Sequence, residues 1–197
     1  MDISEIRIKT VLMADAISEM LELVERGFME NKSSLLSDAM KKEESINSSD
    51  KLLTKSIMDI SKESLEKKEL AALAQMVGTF ERMGDEASAL IERMEVKVAE
   101  KLLFSEKGVD DFIETYRAMK RSVGMMREFL KTRDPGLKES VIDNGFNVKG
   151  LVEKYREEHA NRLIDGLCTP LGANMYFDML DFTGNLARHA SNVVKLF

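Results

Sequence analysis

Met76 to Met94 reads MVGTFERMGDEASALIERM. Within it Val77, Phe80, Met83, Gly84, Ala87, Leu90, Ile91 and Met94 recur at three- and four-residue steps, which forms one apolar stripe on a helix and no alternation that a strand could use. Glu81 and Asp85 are four residues apart, so their carboxylates lie one turn from each other on a single face and border that stripe. Such a pair can be a plain solvated face. Like charges at this spacing repel, however, and a cation held between them is the chemistry that would use them.

The same periodicity extends through the chain. Two prolines, no tryptophan, 14 methionines and long runs rich in Leu, Ala, Glu and Lys favour helix throughout, and the expected class is all-α. Helices are predicted over about 4–31, 33–61 and 66–104, with Ser33-Ser34 offering a cap for the second. After the break Ser105-Glu106-Lys107-Gly108 the pattern restarts, with helices over about 109–132, 135–164 and 170 to the C-terminus. The inner side of the first helix is expected to hold Ile6, Leu12, Ala16, Met20, Leu23, Val24 and Phe28.

Shifting the sequence by about 102 residues sets Leu21 on Val123, Val24 on Met126 and Phe28 on Leu130; a step near 103 sets Met83 on Leu186, Ala87 on Ala190 and Leu90 on Val193. Two tandem antiparallel three-helix bundles are therefore expected, at 1–104 and 105–197.

A net charge of −6 and the lack of a basic stripe argue against nucleic acid as a partner. No segment approaches the roughly 18 uninterrupted apolar residues of a membrane span, and the start carries no basic-then-apolar leader, so the expected location is cytoplasmic, peripheral to a membrane at most. The lone Cys168 is read as a buried small hydrophobe.

The run Phe80-Glu81-Arg82-Met83-Gly84-Asp85-Glu86-Ala87 resembles the E-R-I-G-D-H-A signature of the PhoU family, helical regulators of phosphate uptake. Tyr155-Arg156-Glu157-Glu158-His159, Asp178-Met179-Leu180 and His189-Ala190-Ser191-Asn192 resemble the PhoU-like domains associated with sodium/phosphate cotransporters. The resemblance implies that Glu81 and Asp85 are metal ligands and that Gly84 lets two helices approach closely. In the second helix Glu43 and Asn47 are again at i and i+4, matching an acid-then-amide position of the family, with Glu44 as the alternative if the helix phase differs. Glu43, Asn47, Glu81 and Asp85 are thus the expected ligands of a divalent or transition ion. Iron or zinc is implied by the family alone.

In the second half the aligned positions hold Gly145, Lys149, Gly184 and Arg188, so a metal is not expected there. Lys149 and Arg188 are expected to meet an internal carboxylate, from Asp143, Glu153 or Asp181, or a bound anion. Asp143/Asn147 and Asp181/Asn185, one turn earlier, would form a displaced metal site if the register slipped. His159 and His189 are read as structural.

Arg156 and Leu186, not Glu, lie three residues before the histidines, so no ferritin-like Glu-x-x-His pair exists, and no nucleophile or phosphate-loop motif is present. Turnover is not expected. The resemblance implies contact with a phosphate transporter, a sodium/phosphate cotransporter or a sensor kinase, and a homodimer through exposed helix sides is compatible with the sequence. The competing reading is a helical interaction scaffold with neither metal nor phosphate role, which a solvated, empty Glu81/Asp85 pair would favour.

Overall fold

The computed structural model describes residues 1–61, 66–99 and 104–197, and every regular element in them is a helix. They are α1 (Ile3–Glu30), α2 (Ser33–Ser61), α3 (Lys67–Ala99), α4 (Glu106–Thr132), α5 (Pro135–Ile164) and α6 (Pro170–Val194). Local chemistry sets most of the ends. Asp2 caps α1 in a reciprocal box, accepting from the Glu5 amide at 2.8 Å while Glu5 accepts from the Asp2 amide at 3.0 Å. Asp134 and Thr169 cap α5 and α6, each followed by a proline whose fixed φ suits the first helical turn.

Three local expectations are corrected. The Ser105 hydroxyl accepts from the Gly108 amide at 3.1 Å, so Ser105 is a cap, not a break, and α4 begins at Glu106, ahead of the expected Val109. Ser33 and Ser34 lie inside α2 because α1 closes on Asn31 at φ 49°, with the Lys32 amide donating to the Gly27 carbonyl at 3.0 Å. Phe104, the expected end of α3, lies outside any helix, and residues 100–103 lie outside the described residues.

The buried side of α1 runs through Ile6, Thr10, Met13, Ile17, Met20, Val24 and Phe28, which leaves the expected core residue Leu12 57% exposed. Cys168 is only half-buried, in the turn between α5 and α6. Along α3 every residue of the apolar stripe is buried, as are all the residues that the repeat sets in register.

The helices α1, α2 and α3 pack on one another, as do α4, α5 and α6; α1 against α4 and α3 against α6 join the two triplets. One continuous buried cluster runs through both. Across the α1–α4 seam Phe28 meets Phe112 with ring centroids 5.0 Å apart, and Glu25 accepts from both Arg117 and Lys120 at 2.7 Å. Burial pushes the Glu25 carboxyl up, but the bonds from Lys120 and Arg117 outweigh it and hold the group below its usual range.

Tyr116, fully buried on α4, donates its hydroxyl to the Leu21 carbonyl of α1 at 2.8 Å. Tyr116→Phe deletes that bond and keeps the ring, so a stability loss of about 1 kcal/mol is expected by chemical denaturation. An unchanged unfolding midpoint would mean that the bond contributes nothing across the seam.

Candidate functional site

The stripe of α3 fixes which way its acids face. With Val77, Phe80, Met83 and Ala87 fully buried, Glu81 sits half-buried at the stripe's border and Asp85 is exposed one turn on. Gly84 lies between them and is itself buried. A Cβ built there would stand 3.4 Å from Cγ2 of Ile46 and 3.8 Å from Cγ of Glu43, so the missing side chain lets α2 lie directly on α3 at this level.

That approach brings Glu43 against the turn of α3 that carries Glu81 and Asp85. Asn47 donates through Nδ2 to Oε1 of Glu43 at 2.5 Å, which turns its carbonyl oxygen away, and Oδ1 of Asn47 is buried without a hydrogen-bond partner. Ser88 Oγ, one turn beyond Asp85 on α3, is also buried and unpaired. Buried polar oxygens are rarely left this way, because each forfeits its hydration for nothing.

Burial pushes the Glu81 carboxyl above its usual range, and the Asp85 and Asp50 carboxylates push it further. Asp50 is therefore part of the cluster. The sequence reading missed it, although Glu43, Asn47 and Asp50 follow the i, i+4, i+7 spacing of one helix face. The alternative Glu44 is exposed and off this face. Among the described residues none of Glu43, Asp50, Glu81 and Asp85 makes a salt bridge, and no three His, Cys, Asp or Glu side chains stand together as a ready metal cage. Such an array is self-repelling: oxygen donors from two helices and a carboxyl that stays raised even with the Arg82 charge pulling it down, and among the described residues no salt bridge to these acids. The donors present suit a hard or borderline cation, with the free Asn47 oxygen facing none of the protein's own donors.

The second half holds a different surface. Gly145, Lys149, Gly184 and Arg188 all line one groove between α5 and α6. Of the acids that sequence reading offered to Lys149 and Arg188, Asp181 takes Arg156 through both oxygens at 2.7 Å, Asp143 is exposed, and Glu153 pairs with Lys149. That bridge is 3.6 Å long, and Arg188 donates to the neutral Oδ1 of Asn185 at 3.2 Å. Of the displaced acid–amide pairs, Asp181 and Asn185 are engaged with Arg156 and Arg188, and Asp143 and Asn147 are exposed.

Glu86, next to Asp85 on α3, reaches across to α6. Burial pushes its carboxyl up, against a hydrogen bond from Asn185 and the nearby Arg188 charge. The histidines take no part in either place. His159 stacks on Tyr176 at 4.0 Å with Nδ1 facing Arg162 at 3.2 Å, and burial lowers it to about 4; burial, then Arg188 and Arg82, lower His189 to about 4 as well. Both are neutral near pH 7.

These features define a six-helix bundle with an acidic patch between two of its helices. The PhoU domain model matches residues 10–111, from α1 into the first turns of α4, and the chain belongs to the PhoU family, whose members are regulators of phosphate uptake. The match ends before the replaced positions of the second half.

The fold is that of PhoU from Pseudomonas aeruginosa (TM-score 0.91, 16% identity, covering 98% of this chain and 93% of that one). It is likewise similar to the phosphate transport system regulatory protein PhoU from Streptococcus pneumoniae (0.86, 9%, 98% and 91%). A PhoU-like protein from Shewanella oneidensis aligns at 0.72 with 14% identity over 96% of each chain. No curated protein matches the chain. No helix among the described residues is long and apolar enough to cross a membrane.

Proposed function

We propose that this chain is a metal-loaded, non-catalytic regulator of phosphate uptake that works by contact with a phosphate transporter or its signalling partner at the cytoplasmic face. The observation that supports the reading is the acidic donor set on α2 and α3: Glu43, Asp50, Glu81 and Asp85, none of them in a salt bridge among the described residues and Glu81 raised despite Arg82, beside the orphaned Oδ1 of Asn47. Glu43, Asn47, Glu81 and Asp85, joined by Asp50, would hold the ion. It would supply positive charge that relieves their repulsion and ties α2 to α3.

A divalent or transition ion suits oxygen donors of this kind, and iron or zinc is the family's implication. The partner is a phosphate transporter or sodium/phosphate cotransporter, or a kinase that reads its state. Regulation then follows from a contact surface that differs between metal-bound and metal-free forms.

Elemental analysis of protein prepared without chelator or affinity nickel tests the metal, and phosphate uptake by cells lacking the chain tests the role. Bound metal that a chelator removes with a fall in melting temperature, together with misregulated uptake, is the expected pair of results. Metal-free protein whose melting is indifferent to added Zn²⁺, Fe²⁺, Mn²⁺ or Mg²⁺ would overturn the metal. Unchanged uptake would overturn the regulatory role.

A further inference from the structure

The groove between α5 and α6 encloses about 700 Å³, within the range of small-molecule sites. Two glycines shape it. A Cβ at Gly145 would fall 2.4 Å from Oγ of Ser191, and one at Gly184 would fall 3.3 Å from Cγ2 of Val152, so the helices meet closely at these two levels and leave the hollow unfilled by side chains there.

On a chain of net charge −6 the groove is nevertheless rimmed by four cations, Lys149, Arg156, Arg188 and Lys195, against two acids, Glu153 and Asp181. Arg156 is neutralised by Asp181 and lies over the Phe177 ring at 5.0 Å, which fixes it. Among the described residues the other three lack a close, buried carboxylate partner. Lys149 and Glu153 are 73% and 67% exposed at 3.6 Å, a bridge that water and salt largely screen. Arg188 holds the neutral Asn185 amide with the Glu86 carboxylate nearby, and among the described residues neither it nor Lys195 makes a salt bridge. Ile142 and Val152 form an apolar wall, and Phe146 presents its ring at the rim, 68% exposed.

Three cations beside a bare aromatic ring is a pairing of chemistries that free phosphate alone does not fill. Arginine and lysine recognise phosphoryl oxygens by fork and point charge, and an exposed ring offers a stacking face for a planar group. We propose that this groove binds a phosphorylated small molecule with a planar ring, of the nucleotide class, with its phosphoryl group at Lys149, Arg188 and Lys195 and its ring on Phe146. None of the proposed metal ligands lines this groove, so titrating the metal-free protein tests it separately from the metal.

Isothermal titration of the full chain with ATP, ADP, adenosine and inorganic phosphate tests it, with Lys149→Ala/Arg188→Ala and Phe146→Ala beside the parent. The substituted residues are exposed, and circular dichroism and melting check that each variant is folded. One nucleotide per chain is expected, with affinity falling at least about tenfold in the double variant, and adenosine binding weakly or not at all. Phe146→Ala should weaken ATP and ADP and leave inorganic phosphate unaffected. If inorganic phosphate binds as tightly as ATP and Phe146→Ala changes neither, the ring contact is overturned and free phosphate is the ligand of the same cations. Saturable binding of neither nucleotide nor phosphate at millimolar concentration, or binding undiminished in the folded double variant, would overturn the site.

Discussion

Glu81→Ala/Asp85→Ala is expected to lose its metal while keeping its fold. Removing two carboxylates from one face of α3 leaves Glu43, Asn47 and Asp50, all on the facing helix, too few donors on one side to enclose an ion. The expected fall in affinity is at least about 100-fold, the upper end of what loss of a supporting outer-shell group costs and so a lower bound for direct ligands. Metal content after dialysis, with a titration of Zn²⁺ or Mn²⁺ into the metal-free protein, measures it. The metal-free melting temperature serves as the control: neither side chain makes a salt bridge, and removing two acids that repel each other should leave it unchanged or slightly raised. A variant that keeps its metal would move the site away from α3.

The same carboxyl sets a pH dependence. Burial first, then Asp85 and Asp50, hold the folded Glu81 carboxyl above its unfolded value, so folding favours its protonated form. In metal-free protein that contribution to stability is fully present below the unfolded value of 4.5 and is lost as pH rises through the raised folded one. Glu81→Gln should flatten this part of the profile. With metal present the proton competes for the same oxygens, so retention weakens as the medium is acidified across the same window.

Phe80→Ala should be the most destabilising single change on the signature helix. The ring is fully buried in the α3 stripe among Val77, Met83 and Ala87, and truncation removes its apolar surface and leaves a cavity that the packed helices cannot close. A loss of about 3–5 kcal/mol is expected, readable as a shift of the guanidinium midpoint at constant slope. Because one buried cluster runs through both triplets, the loss should appear in a single transition. Two transitions, with only the first triplet destabilised, would show that the halves unfold separately. Phe80→Leu, which retains most of the buried volume, should cost far less.

Both results concern a helix whose role is legible in sequence because its apolar period, its glycine and its acids agree in phase. The all-α architecture and most helix limits follow from such periodicity, and caps such as Asp134-Pro135 and Thr169-Pro170 are local enough to be read directly. What escapes depends on partners distant in the chain. Leu12 is as apolar as its neighbour Met13, and only the packing of α2, α3 and α4 around α1 decides that Met13 is covered and Leu12 is not. Asp50 looks like one more polar residue on α2 until antiparallel pairing with α3 places its charge near Glu81. The pairing of Asp181 with Arg156, which takes that acid from Lys149 and Arg188, likewise requires the facing of α5 and α6.

Glu86 gives α3 a reach that neither triplet has alone, since it adjoins Asp85 on one side and meets Asn185 and Arg188 on the other. Charge added at the acidic patch would change the potential felt at Arg188 through the half-buried Glu86, by an amount that water at the exposed Asp85 and Arg188 reduces. A cation at Glu81 and Asp85, if bound as proposed, would strengthen the pull of Arg188 on an anion. By thermodynamic reciprocity, the anion would strengthen retention of the cation by the same factor. Substituting Glu86 would then alter how strongly the two events speak to each other, and the seam between α3 and α6 would be the place where cooperativity is set.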